Sequence, residues 1–117
     1  MNTNYSDLSI NLTKTIDKTE KKENGIYFTN PNTILKNIEF LKPYIKDMKY
    51  VLEPSCGSCE FINILNKNFK KMKITGIELN KTIFNNIKVF NNKNITLLNE
   101  NFLTYNFENK YDLITGN

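Results

Sequence analysis

Arginine, histidine, alanine and tryptophan are all absent from these 117 residues. Without arginine every one of the 16 cations is lysine. Bidentate reading of guanine in a DNA groove is therefore not expected of this segment, while loose attraction of lysine to phosphate stays open. Without histidine, and with Cys56 and Cys59 as the only cysteines, a closed zinc site lacks its ligands, and no metal is called for. No apolar run approaches the roughly 18 residues of a membrane span. Met1 to Thr15 shows no basic-then-apolar signal pattern, so an intracellular protein is expected. The wealth of Lys, Asn and Ile beside the missing Ala and Arg is what an A+T-rich genome encodes, and part of the composition reports codon usage. What remains is a net charge of +4, read as a solvated surface, and 39% hydrophobic residues in short runs, enough for one small core.

Residues 1–24 are polar and charged, with only Leu8, Ile10, Leu12 and Ile16 in weak alternation, and are read as a flexible polar arm. The ordered domain is expected to begin near Gly25 and to occupy residues 25–117. Asn30 or Thr29 can cap a helix with Pro31 in its first turn, and Ile34, Leu35, Ile38 and Leu41 recur on one face before Pro43 stops it. Tyr50 to Leu52 is a short apolar strand. Phe61, Ile62, Leu65 and Phe69 have helical spacing, Ile74 to Leu79 reads as a strand, and Ile83, Phe84, Ile87 and Phe90 are helical again. Ile95 to Leu98 and Tyr111 to Thr115 complete four strands. This alternation predicts an α/β fold, the first half of a doubly wound, Rossmann-like sheet, mainly parallel, with helices on both faces.

Two segments carry chemistry. Val51 to Phe61 runs from a buried strand through Glu53-Pro54-Ser55-Cys56-Gly57 into a helix, a turn that exposes backbone N–H groups where open α/β sheets bind nucleotide-like cofactors. Ile74 to Asn80 then puts Glu78 at the end of the next strand, 21 residues beyond Gly57. A carboxylate about 20 residues after a glycine turn is well placed to accept from both hydroxyls of a ribose.

With these segments in hand, the chain resembles the class I S-adenosylmethionine-dependent methyltransferases, and within them the amino-group DNA methyltransferases that modify adenine N6, whose first motif is similar to Glu53-Pro54-Ser55-Cys56-Gly57. Gly25-Ile26-Tyr27-Phe28-Thr29 resembles their N-terminal cofactor motif. Asn99 to Leu103 resembles the segment that holds the cofactor's adenine, and Tyr111 to Asn117 the strand leading into Asn-Pro-Pro-Tyr. The resemblance implies S-adenosylmethionine as cofactor, with Tyr27, Thr29, Glu53, Ser55, Cys56 and Gly57 toward its methionine end, Glu78 on the ribose, and Asn101 and Phe102 at its adenine. It implies Asn117 as the catalytic acceptor for the target amine, and DNA as the substrate of the complete enzyme. Cys59 stands where many members have a second glycine, and Asn101 where Asp is usual. The family pattern continues past Asn117, so the chain is expected to carry the cofactor-binding half, alone inactive and of marginal stability, with a second polypeptide as one source of the rest.

Three other readings compete. Ribosomal RNA adenine and protein-glutamine methyltransferases share the Asn-Pro-Pro logic, since each methylates a planar nitrogen. A truncated, non-catalytic module that binds the cofactor is another. The Cys56-Gly57-Ser58-Cys59 sequence would on its own suggest a thiol-disulfide oxidoreductase, but this leaves Glu78 and the aromatic motif unexplained.

Overall fold

The structure, a computed structural model, describes residues 5–24, 26 and 28–116. Strands β1 (Tyr50–Glu53), β2 (Lys73–Ile77), β3 (Ile95–Leu98) and β4 (Leu113–Ile114) form one sheet in the order β3-β2-β1-β4, with every pairing parallel. The α/β expectation is therefore met. Successive steps from β1 through β2 to β3 run to one side, and β4 returns to the far side of β1. The order thus reverses at β1, and the carboxyl end of that strand is the place where open sheets of this kind present a crevice.

Register fixes which residues share a face. Val51 pairs with Ile74 and Leu113, Ile74 with Ile95, and Gly76 with Leu97. These residues, except the glycine, pack in a single apolar cluster with Ile34 and Ile38 of α3 (Pro31–Ile45), Ile62 and Leu65 of α4 (Glu60–Asn68), and Ile83 and Ile87 of α5 (Lys81–Ile87). All three helices thus cover one face, where the sequence led us to expect helices on both. The reason is topological: two right-handed crossovers stepping in the same direction put α4 and α5 on the same side. On the other face Leu52 and Ile77 are buried outside that cluster, and the β3–β4 connection carries an aromatic group in which Phe107 meets Phe102, Tyr105 and Tyr111 at 5.7, 4.7 and 6.0 Å between ring centres.

Some boundaries differ from expectation. The Asn30 side chain accepts from the Asn32 N–H at 2.8 Å and Pro31 opens α3, as anticipated, yet the helix continues through Pro43 to Ile45. Pro43 gives up one backbone hydrogen bond and crowds the turn before it, while Ile45, two residues on, is buried in the core. The fourth strand has two paired residues instead of five. Just before it, the Asp112 carboxylate accepts from the N–H groups of Lys49 and Tyr50 at 2.8 and 2.9 Å, which holds it below the usual carboxylate range and pins the register of β4 on β1.

The largest correction concerns residues 1–24. Instead of a flexible arm, the described part forms α1 (Asp7–Thr15) and α2 (Lys18–Asn24). The Ser6 hydroxyl caps α1 by accepting from the Ser9 N–H at 3.1 Å. Leu12 and Ile16 then enter the main core at 2% and 4% exposure, with Leu8 against its edge. Leu8, Leu12 and Ile16 recur every four residues behind a serine cap, which is helical spacing and not strand alternation.

Candidate functional site

Pro54 ends β1 and the chain turns sharply into α4. Gly57 and Cys59 both have left-handed backbones, at φ 53° and 65°. The Cys56 N–H donates to the Ile77 carbonyl at 2.9 Å and the Cys59 N–H to the Cys56 carbonyl at 2.8 Å, so the turn is fastened to the end of β2 and closed on itself. A left-handed Cys59 accounts for the glycine that the resembled family often has there, because glycine, having no Cβ, adopts that geometry without steric cost.

Glu78 sits one residue past β2, and the spacing read from the sequence becomes a contact. Its Oε2 accepts from the Gly57 N–H at 2.8 Å and its Oε1 from the Asn80 N–H at 2.9 Å. Burial raises its pKa above the usual carboxylate value, opposed by the bonds from Asn80 and Gly57. Glu53 is more enclosed, at 4% exposure, with its Oε1 accepting from the Ser55 N–H at 3.1 Å. Its pKa is pushed up to about 8, chiefly by burial; the Ser55 bond lowers it and the charge of Glu78 raises it. The chain just past β4 passes so close that a Cβ on Gly116 would lie 2.2 Å from Glu53 Oε1, so a side chain there would have to displace the Glu53 carboxyl group.

Two hollows meet at Glu53. One, about 30 Å³, lies among Phe28, Thr29, Glu53 and the Ser55 to Ser58 turn, and the Phe28 ring stands over Gly57. The other, about 230 Å³, is lined by Glu53, Pro54, Ser55, Ile114, Thr115 and Gly116. At the next strand end, Asn101 folds its side chain back, with Oδ1 accepting from the Leu103 N–H at 3.0 Å, while Phe102 is exposed beside Phe107. Glu53 at the end of β1, Glu78 just past β2 and Asn101 three residues past β3 therefore mark the carboxyl ends of three neighbouring strands. Tyr27 and Asn117, like Gly25, lie outside the described residues.

Cys56 and Cys59 are free and buried. The side-chain hydrogen bond with Cys59, together with burial, drives the Cys56 pKa far upward. A thiol-disulfide oxidoreductase needs an accessible thiolate, and this thiol has neither property. Among the described residues no group of three or more His, Cys, Asp or Glu is placed to hold a metal ion, and no helix is long and apolar enough to cross a membrane.

One cluster escaped the sequence reading. Ser9 of α1 is 1% exposed and Ser58 of the turn 2%; their hydroxyls lie 2.6 Å apart, and the Ser9 hydroxyl donates to Glu60 Oε1, also at 2.6 Å. The signal available was the serine cap with the four-residue apolar spacing behind it.

No protein-family model matches the chain. Two curated proteins match 97% of it: the type II methyltransferase M.CvrRI of Paramecium bursaria Chlorella virus XZ-6E, at 29% identity over 113 residues, and the modification methylase CviBIII of Paramecium bursaria Chlorella virus NC1A, at 31% over 118. The chain spans 29% and 30% of their lengths. Among solved structures, the plantazolicin methyltransferase BpumL in complex with a monoazolic desmethylPZN analogue and SAH superposes with a TM-score of 0.65 at 18% identity, over 92% of this chain and 44% of that one. Coclaurine N-methyltransferase, bound to N-methylheliamine and SAH, gives 0.59 at 17%, over 74% and 27%. The chain thus has the Rossmann-like fold of the S-adenosylmethionine-dependent methyltransferases and is similar over nearly its whole length to part of a type II methyltransferase and a modification methylase.

Proposed function

We propose that the chain holds S-adenosylmethionine along the carboxyl ends of β1, β2 and β3, as the cofactor-binding part of a methyltransferase acting on the exocyclic amine of adenine in DNA. The observation that carries this reading is the closure of Glu78 on the Gly57 N–H, which joins the acid after β2 to the turn after β1. Each Glu78 oxygen spends one lone pair on a backbone N–H and keeps another for a ribose hydroxyl. Glu53 fits the opposite, cationic end. A buried carboxyl with a raised pKa is short of compensation, and a neighbouring ammonium or sulfonium would restore its charged form. Thr29 and Ser55, which share the small hollow with it, would line the methionine portion. Asn101 and Phe102, at the third strand end, would meet the adenine, one by hydrogen bonding and the other by stacking.

Bound there, the cofactor supplies a methyl group activated by a sulfonium. The chain's task is then to orient that group and prepare the amine. An adenine amine shares its lone pair with the ring, so acceptors on its hydrogens favour the tetrahedral form that attacks in line. Asn117 is our candidate for one such acceptor, on its resemblance to the family motif alone. The hollow between Glu53 and Gly116 lies at the end of the strand leading toward it. The DNA substrate is drawn from the resemblance and from the naming of M.CvrRI and CviBIII as a type II methyltransferase and a modification methylase.

Calorimetric titration of the chain with SAH tests the cofactor reading. Saturable binding is expected, weakened about tenfold or more by Glu78→Ala, the scale of lost charge-assisted hydrogen bonds. A folded chain that ignores SAH overturns it. For the substrate, labelled methyl from S-adenosylmethionine should reach adenine of duplex DNA; transfer to RNA or to peptide glutamine instead would replace that assignment.

A further inference from the structure

The geometry points to Ser9, with its partners Ser58 and Glu60, as a positioning residue through which α1 sets the shape of the cofactor turn. This rests on the cofactor reading above and adds to it a part of the chain with no side chain among the proposed cofactor contacts. Three threads tie the start of the chain to the turn. The Ser9 hydroxyl donates to Glu60 Oε1 and stands 2.6 Å from the Ser58 hydroxyl. The Ser6 N–H donates to the same Glu60 oxygen at 2.7 Å, and the Ser6 hydroxyl to that of Ser9 at 3.2 Å. The Tyr5 hydroxyl donates to the Phe28 carbonyl at 3.4 Å, and the Phe28 ring stands over Gly57.

The direction of each bond follows from the count of donors. Ser9 has one hydroxyl hydrogen and gives it to the carboxylate, so Ser58 must be the donor to Ser9. The chain Ser58 to Ser9 to Glu60 thus fixes the Ser58 rotamer. Ser58 follows Gly57, whose N–H is bonded to Glu78, and precedes the left-handed Cys59. Holding Ser58 holds the middle of a turn whose neighbours on both sides have left-handed backbones. Glu60, opening α4, is shared between the helix and the network. With Ser9 and Ser58 both closed off from solvent, removing either hydroxyl leaves polar atoms that water does not readily reach.

The test is SAH affinity, measured by calorimetry on the full chain at a temperature where each variant is shown by circular dichroism to be folded. Ser9→Ala is expected to weaken SAH binding about tenfold, the scale of one lost buried hydrogen bond, although Ser9 does not line the proposed cofactor site. Ser9→Thr, which restores the hydroxyl, should recover most of that loss. Ser58→Ala should match Ser9→Ala, and the double variant should add little, because both remove the same link. If Ser9→Ala unfolds the chain, Ser9→Cys, which nearly keeps the volume but is only a weak donor, carries the comparison, because Ser58 itself lines the small hollow and Ser9 does not. Unchanged SAH affinity in folded Ser9→Ala or Ser58→Ala reduces the network to a structural tether and overturns the inference while leaving the cofactor reading standing. Failure of the wild-type chain to bind SAH overturns both.

Discussion

The first helix and the first strand reach the same turn by opposite means. In β1, every residue but Tyr50 is buried, and the strand has a hydrogen-bonded neighbour on each side. In α1 the buried side chains are Ser9 and Leu12, Leu8 is partly buried, and apart from Ile10 the remaining surface is polar. One element is held by apolar packing and backbone ladders, the other by one buried and one partly buried leucine, the isoleucine that follows the helix, and a group of hydroxyls around one carboxylate. Low hydrophobicity along a segment therefore does not make it an appendage. A few buried groups suffice when their hydrogen bonds are satisfied.

The sharpest way to break this comparison is Leu12→Ala. If α1 is integral to the fold, truncating a leucine at 2% exposure should lower unfolding stability by about 2–4 kcal/mol, read from the urea midpoint. A change of only a few tenths would make the helix an appendage after all. On the strand side, Gly76→Ala would put a methyl 2.5 Å from Ile62 Cδ1 and 2.8 Å from Leu97 Cδ2, and an overpacking loss of about 1–3 kcal/mol is expected.

A second contrast lies in pH. The raised pKa of Glu53 means that the folded chain keeps a proton which the unfolded chain releases. The associated stability is complete below about 4.5 and is lost as pH rises through about 8. Unfolding free energy should decline by a few kcal/mol across that window, and Glu53→Gln should flatten the decline. A profile equally steep in Glu53→Gln would assign the effect to another group. The smallest effect separates backbone from side chain at Cys59. Both Cys59→Ala and Cys59→Gly lose the buried thiol, but only glycine relieves the φ of 65°, so the glycine variant should be the more stable by about 1 kcal/mol in thermal unfolding.

The sheet side of the molecule was largely legible because its signals are local. Ile95 to Leu98 is the observed third strand, and Phe61, Ile62 and Leu65 are the buried face of α4. The link between Glu78 and Gly57 was foreshadowed by their spacing, although the bond to the backbone N–H was not. The N-terminal helices were missed because Leu8, Leu12 and Ile16 are diluted among polar residues, and their reward comes from partners far along the chain. Ser9 meets Ser58 across 49 residues, a pairing no local period reveals. Pro43 misled for a different reason: a proline inside a helix gives up one backbone bond and crowds the preceding turn, but it need not end the helix, and α3 runs on to Ile45.

The return of the chain to β1 has a consequence for the order of assembly. The β1 and β2 pairing closes a short excursion through α4, whereas Val51 meets Leu113 only after 62 residues have been gathered in. With just two paired residues to offset so long a closure, β4 is expected to join last during folding and to open first. The hollow at Glu53, whose far wall is Ile114 to Gly116, would then be completed only in the final step of folding.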